Sequence, residues 1–372
     1  MQPNDVNKSH TKLRGVNLGG WLVLEKWMTP SLFAGLAARD ETNWCIELGD
    51  KADEILKKHW QTFIGRDDFA WLADIGINAV RIPVGYWLLS SDYPYHSSFG
   101  NCRYPFVQGG VEILDRALDW AEQFGLSVVI DLHAAPGCQN GFDNGGIQDV
   151  CEWHTQTDYI DYSLKTLERL AQRYGNHPAL HGIEVLNEPR WDIETDLLKE
   201  FTLRGYQRIR KYCAEDIAVI FHDGFRGFRE YNGFMSRPEF QNVIFDIHRY
   251  QCFVKEDVEL DIFGHLQKTV IDWKSEAEDI ISNAGIPTYV GEWSLGLDLQ
   301  MIDAWSAGAF DYPQTGMDDF QLNLAYRAYA AAQLACFEKY LGWFFWSYKT
   351  ETMLHWSFRD CVERGWLPNN FA

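Results

Sequence analysis

None of the eight cysteines (45, 102, 138, 151, 213, 252, 336 and 361) falls in a Cys-x-x-Cys pair, which argues against zinc ribbons and thioredoxin-like redox chemistry. Positive charge is scarce: 33 Lys and Arg stand against 53 Asp and Glu, a formal charge of −20. Nucleic acid and anionic membranes are therefore poor partners, and a neutral substrate fits better. No run approaches transmembrane length, and Met1-Gln2-Pro3-Asn4-Asp5 offers no apolar stretch for a signal peptide. The chain as given is expected to be soluble, and either intracellular or already trimmed. The compartment, the cysteine pairing and the oligomeric state stay open. Asn7-Lys8-Ser9 is a lone glycosylation sequon. No linker, charge block or internal repeat divides the 372 residues, so one catalytic domain over residues 1–372 is expected, with 1–13 a loose N-terminal segment.

What is abundant is aromatic. Aromatic residues make up 15% of the chain, with 16 Trp, and beyond packing such faces suit the C–H faces of pyranose rings. The alternation of short apolar runs with amphipathic segments is equally plain. Strand-like runs cover Arg14–Gly20, Ile77–Val84, Leu126–His133, Leu180–Asn187, Ile217–His222, Asn242–His248, Ile286–Glu292 and Leu341–Trp346. Between them Val111, Leu114, Leu118 and Ala121 share one helical face, as do Ile160, Leu164, Leu167 and Ala171. Phe263, Leu266, Val270, Trp273 and Ala277 mark a further helix. Eight strands alternating with helices predict a single α/β (β/α)8 TIM barrel, with chemistry at the carboxyl ends of the strands. The rival, an open doubly wound sheet, lacks a Gly-rich nucleotide turn after the first strand.

Those strand ends carry polar groups. In Gly182-Ile183-Glu184-Val185-Leu186-Asn187-Glu188-Pro189 the apolar run gives way to amide, carboxylate and proline. Pro189 lacks an N–H and restricts its predecessor, so the strand should stop near Glu188. Pro287-Thr288-Tyr289-Val290-Gly291-Glu292 closes the same way on Glu292. Two glutamates ending two strands suggest a pair for acid–base and nucleophilic work. Arg81 lies inside an apolar run and needs a partner; His133, His222 with Asp223, His248 with Tyr250, and Trp346 end other strands. Each alone could be a satisfied core residue. Converging on one rim, they point to a site. Long βα loops should wall a pocket there: Trp21–Trp60 with Glu25, Trp27 and Trp44; Ala134–Trp153 with Phe142, Asp143 and Asn144; and Ser294–Asp319.

At these residues the chain resembles the clan A, family 5 glycoside hydrolases, in their exo-β-1,3-glucanase branch. The matching words are Arg14-Gly15-Val16-Asn17-Leu18-Gly19-Gly20-Trp21-Leu22-Val23-Leu24-Glu25, Asp131-Leu132-His133-Ala134-Ala135-Pro136-Gly137, Gln139-Asn140-Gly141-Phe142-Asp143-Asn144, Leu186-Asn187-Glu188-Pro189, Gly291-Glu292-Trp293 and Phe345-Trp346-Ser347-Tyr348-Lys349-Thr350-Glu351. The resemblance implies that Glu188 is the acid/base and Glu292 the nucleophile of a retaining β-glucosidase or glucan hydrolase. It implies that Arg81, His133, Asn187, His248, Tyr250 and Trp346 line the cleaved sugar. Glu25, Asp143 and Asn144 would grip the terminal glucose, and Phe142 and Phe253 would clamp the acceptor side. No cofactor and no metal are implied. The substrate would be a β-glucan or β-glucoside cut from its non-reducing end, with transfer as a possible second outcome. Three departures stand out: no second histidine in Asp246-Ile247-His248-Arg249-Tyr250, Cys138 where serine is common, and Lys26 where proline is common.

In the expected mechanism, charge on Glu292 keeps Glu188 protonated, Asn187 meets the sugar 2-hydroxyl, and Arg81 and Tyr250 orient Glu292. Other readings are a β-glucosidase for aryl or disaccharide glucosides such as rutinosides, and an open-cleft endoglucanase. More distant are a metal-dependent barrel using His133, Glu188, His222 and His248, and a non-catalytic sugar-binding barrel. The first strand supplies Asn17 and no His-x-His pair, which counts against the metal, and both glutamates are present, which counts against the inert barrel.

Overall fold

Each apolar run forms a strand, and the strands close on themselves. A computed structural model describes residues 12–102, 105–297 and 319–372; the sequon and most of the third loop lie outside these. The strands are β1 (Leu13–Asn17), β2 (Ala79–Gly85), β3 (Ser127–Ala134), β4 (Leu180–Glu184), β5 (Ala218–His222), β6 (Val243–Arg249), β7 (Thr288–Trp293) and β8 (Gly342–Phe345). Every neighbouring pair is parallel, and β8 pairs with β1, giving a closed barrel. Around it run α1 (Glu41–Leu48), α2 (Lys51–Thr62), α3 (Arg66–Asp74), α4 (Gly110–Phe124), α5 (Thr157–Tyr174), α6 (Thr195–Arg210), α7 (Lys255–Val258), α8 (Ile262–Gln267), α9 (Lys274–Asn283), α10 (Asp319–Phe337) and α11 (Phe358–Glu363). Among the described residues no helix is long and apolar enough to cross a membrane.

The barrel interior is layered by the two-residue period of its strands. Leu13, Ala79, Val129, Ala218, Ile220, Ile244, Tyr289 and Phe344 pack together as an apolar floor. Two residues further along their strands come Arg81, Asp131 and Asp246, and one step further His133 and His248. The period of two thus lifts charged groups from an apolar floor towards the mouth. The β7 strand breaks the rhythm. Ile247 pairs with Val290 but His248 pairs with Glu292, so β7 carries one extra residue at that point. A bulge of this kind re-aims the next side chain, and here it turns Glu292 inwards beside His248. Gly291 occupies the bulge because nothing larger fits: a Cβ there would lie 2.0 Å from Asp246 Oδ2.

Two expectations need correction. The β4 ladder stops at Glu184, not near Glu188. Asn187 N still donates to Leu132 O at 3.0 Å, but Glu188 takes a left-handed backbone, φ 42. The single helix through Phe263 and Ala277 is broken by a π-type stretch over Lys268–Trp273, which rotates the face of the segment. Trp273 and Ala277 are buried, whereas Phe263 and Val270 face outwards. The Trp21–Trp60 loop, too long for a mere connector, holds α1 and most of α2.

Candidate active site

Arg81 is the hub of the barrel mouth. It is 1% exposed, and a guanidinium so buried requires partners for all its donors. Nε donates to Glu184 Oε2 at 2.8 Å, Nη1 to Asn17 Oδ1 at 3.0 Å and Glu292 Oε1 at 3.1 Å, and Nη2 to Asn187 Oδ1 at 2.8 Å. Asp131 Oδ2 lies 3.2 Å from Nη2. Four strands and the chain beyond β4 are thereby tied to one cation. Asn17, Glu184, Asp131 and Asp246 were not singled out in the sequence as site-forming. The signal available was the Arg81 charge inside an apolar run; which strands answer it depends on closure of the barrel.

Glu188 and Glu292 meet at one nitrogen. His248 Nδ1 lies 2.7 Å from Glu188 Oε1 and 3.4 Å from Glu292 Oε2. These two oxygens are therefore no more than about 6 Å apart, which admits the ~5–5.5 Å carboxyl separation of retaining pairs. Asn144 Nδ2 donates to the other Glu188 oxygen at 3.1 Å, and Tyr250 OH donates to Glu292 Oε2 at 2.9 Å. The backbone at Glu188 is in the sparsely populated region where strain gathers at functional positions.

The surrounding residues converge on the same space. His133 Nδ1 is 2.6 Å from Asp131 Oδ2, and its ring stacks on Trp346 at 5.3 Å and 7°. Gln139 Nε2 donates to the carbonyls of His133 and Asn187 at 2.7 and 2.9 Å, locking both strand ends together. Glu25 is buried and accepts from Trp27 Nε1 at 2.9 Å. Asp143 and Asn144 form a short 3-10 turn, and Phe142 at its start is 37% exposed. Phe253, also 37% exposed, stands edge-on to Tyr250 at 5.1 Å. Trp356, which the sequence did not single out, packs on Trp27, Tyr250 and Phe253. Glu25 Oε1, His133 Nε2 and Asn187 Nδ2 are buried without a hydrogen-bond partner, the condition of a site that awaits a polar ligand.

The loops bearing these groups are stitched to each other. Asp40 caps α1 through Asn43 N at 2.8 Å and accepts from Gln148 N at 3.0 Å. Thr42 Oγ1 donates to Gly146 O at 2.6 Å, and Leu24 N donates to Glu41 Oε2 at 2.8 Å. Glu25 on the β1 loop is thus held in register with Asp143 and Asn144 on the β3 loop.

Protons are distributed differently from expectation. Burial alone would raise Glu188, but the hydrogen bond from charged His248 outweighs it, with His133 and Asn144 helping, and holds Glu188 below the ordinary carboxylate range. Glu292 is pushed up to about 8 by burial, with Glu188 adding and His248, Arg81 and Tyr250 opposing. His248 rises well above the ordinary imidazole value: burial opposes its charge, and Glu292, Asp246 and Glu188 together prevail. The reason is distance, since the His248 proton is nearer Glu188 than Glu292. Burial, then Asp40, lifts Asp143 to about 7.

A family model for cellulase (glycosyl hydrolase family 5) matches residues 51–351. The chain belongs to glycosyl hydrolase family 5. Like other members it is a glycoside hydrolase on a (β/α)8 barrel. It is 36% identical over 393 residues to a glucan 1,3-beta-glucosidase of Schwanniomyces occidentalis, which covers 97% of this chain and 88% of that protein. A second relative, the glucan 1,3-beta-glucosidase of Blumeria graminis, is 37% identical over 97% of this chain and 87% of its own. The crystal structure of rutinosidase from Aspergillus niger superposes with a TM-score of 0.75 over 97% of this chain and 99% of that one; at 20% identity the likeness is one of fold.

The departures from the family pattern have local explanations. Cys138 is buried and does what a hydroxyl would: its Sγ lies 3.3 Å from Asn140 Oδ1 and accepts from Gly141 N at 3.2 Å. Lys26 reaches away from the pocket to Ala38 O at 3.2 Å. All eight cysteines are free thiols. Of the histidines weighed as metal ligands, His222 and His248 do come within 4.8 Å of Glu188. One ring nitrogen of each is engaged, His222 Nδ1 with Gly224 N at 2.9 Å and His248 Nδ1 with Glu188 at 2.7 Å, while Nε2 of both is buried without a hydrogen-bond partner among the described residues.

Proposed function

We propose that this family 5 hydrolase is a retaining, exo-acting enzyme that releases glucose from the non-reducing end of β-1,3-glucans, using one domain that spans the chain. Glu292 is the nucleophile and Glu188 the acid/base. The observation that carries the reading is the shared His248 Nδ1, which holds two carboxyls at a separation suited to a covalent intermediate. The glucan 1,3-beta-glucosidases to which the chain is similar support the linkage.

The resting protons suit the reaction once one of them moves. Glu292 holds a proton that the nucleophile must lose, and Glu188 lacks the one that the acid must give. Both forms contain the same number of protons. His248, bridging the two carboxyls, can pass its Nδ1 proton to Glu188 Oε1 and recover one from Glu292 Oε2. Arg81 and Tyr250 then hold the Glu292 carboxylate for attack on the anomeric carbon. The leaving oxygen takes the Glu188 proton, and Glu188 later deprotonates water to release the sugar. Asn187 Nδ2, unpartnered and buried, is free to donate to the 2-hydroxyl, and Trp346 offers its face beneath the ring. Glu25, Asp143 and Asn144 cap the terminal glucose, and Phe142 and Phe253 hold the next sugar, favouring transfer as well as hydrolysis.

Chemical rescue tests the roles. Glu292→Gly should lose hydrolysis yet, with azide and an activated aryl β-glucoside, form the α-glucosyl azide. A β-azide product would move the nucleophile's role elsewhere.

A further inference from the structure

Beyond the pocket, the rim between β3 and β6 carries exposed aromatic side chains on consecutive loops: Phe142 after β3, Trp191 after β4, Phe225 after β5 and Phe253 after β6. Trp191 is the most open of these, 58% exposed. Its loop is held on both sides of the ring. Arg190 N donates to Gln139 O at 3.0 Å, and the Arg190 guanidinium pairs with Asp192 at 2.6 and 3.0 Å. Ile193 N donates back to Arg190 O at 3.1 Å. From the β5 loop, Arg226 Nη2 donates to the carbonyls of Arg190 and Ile193. An indole on a clamped loop presents apolar surface to solvent.

Its place along the chain limits what it can meet. It lies three positions after Glu188, so the two Cα atoms are at most about 11 Å apart. The donor end of the pocket is walled by the β1 and β3 loops, which are stitched together through Asp40 and Thr42. The exposed aromatic side chains lie on the loops after β3 to β6, which makes that arc, with Trp191 on it, the way out for a bound chain. The charges beside Trp191 are paired with each other, and the protein is strongly acidic overall, so an uncharged ligand fits better than an anion. Its chain neighbours Arg190 and Asp192 are charged, unlike the apolar centre of a protein interface.

We propose that Trp191 is an outer sugar-binding platform, stacking its indole on a pyranose face of the β-glucan chain beyond the sugar held by Phe142 and Phe253. The proposal rests on the glucan reading of the pocket. It gives the enzyme a grip on polymer that short substrates do not use.

The test compares wild type, Trp191→Ala and Trp191→Phe in native gels cast with and without laminarin, and in kinetics on laminarin and an aryl β-glucoside. Trp191→Ala should migrate nearly unretarded and show KM for laminarin raised roughly two- to tenfold, the scale of one aromatic contact. Its kcat and its aryl glucoside kinetics should match wild type, and Trp191→Phe should recover part of the retardation. Equal retardation of Trp191→Ala and wild type, or a parallel loss on the aryl glucoside, overturns the proposal. The two readings fail separately. A wild type that leaves laminarin uncut but is retarded by it, with retardation lost in Trp191→Ala, overturns the function and keeps the platform. Laminarin cut and bound equally by both forms does the reverse.

Discussion

A single imidazole nitrogen sets the proton balance of the pocket, and this gives the residue scale its prediction. Glu188, His248 and Glu292 titrate as one unit, so the limbs of a pH profile belong to the unit and not to one residue. The reactive form needs two protons shared among the three groups. As pH rises through about 8, the value to which Glu292 is pushed, one proton leaves and no acid remains for the leaving group. As pH falls below the ordinary carboxylate range, Glu188 takes up a third proton and Glu292 can no longer ionise. kcat/KM on an aryl β-glucoside should therefore be bell-shaped, falling on the alkaline side near 8 and on the acid side below the usual carboxylate value. His248→Gln should move the acid limb upwards, because it removes the charge that holds Glu188 down. An acid limb that stays in place would mean that His248 does not govern Glu188. At this scale the sequence was informative wherever polarity broke an apolar run: Arg81, His133, Glu188 and Glu292 all announced themselves in that way. Glu184 and Asp246 did not, because one carboxylate in a strand has no visible role until barrel closure brings it to Arg81 or Gly291.

At the scale of elements, the β7 bulge decides where Glu292, the proposed nucleophile, points. Gly291 N donates to Asp246 Oδ1 at 2.7 Å, and its carbonyl accepts from Asn17 Nδ2 at 2.9 Å, so β1, β6 and β7 lock at one residue. A methyl group at Gly291 would drive into the Asp246 carboxylate. Gly291→Ala should cost on the order of 1–3 kcal/mol, the scale of overpacking, lowering the thermal midpoint and reducing kcat far more than KM. A variant of wild-type stability and rate would show that the bulge does not need glycine. The strands themselves were legible because parallel barrel strands are buried on both faces and read as continuous apolar runs. The bulge was not, since an extra residue leaves no mark in such a run. The break in the helical stripe after Phe263 was hidden for a similar reason: a π-type turn alters the period without altering composition.

For the whole molecule, the barrel supplies a rigid ring of strand ends and the loops decide what may enter. The β1 and β3 loops, joined through Asp40, Thr42 and Gly146, bring Glu25 beside Asp143 and Asn144 at one end. Phe142, Trp191 and Phe253 are exposed on the loops after β3, β4 and β6. In the proposed function a chain enters such a pocket by its terminus, with one glucose beyond the bond cut. The most direct measurement is proton NMR of the first sugar released from laminarin, followed from the start of digestion. The account predicts glucose alone, appearing first as the β-anomer and mutarotating later. Initial α-glucose would contradict the two-carboxylate covalent route, and an early ladder of internal fragments would contradict the capped pocket.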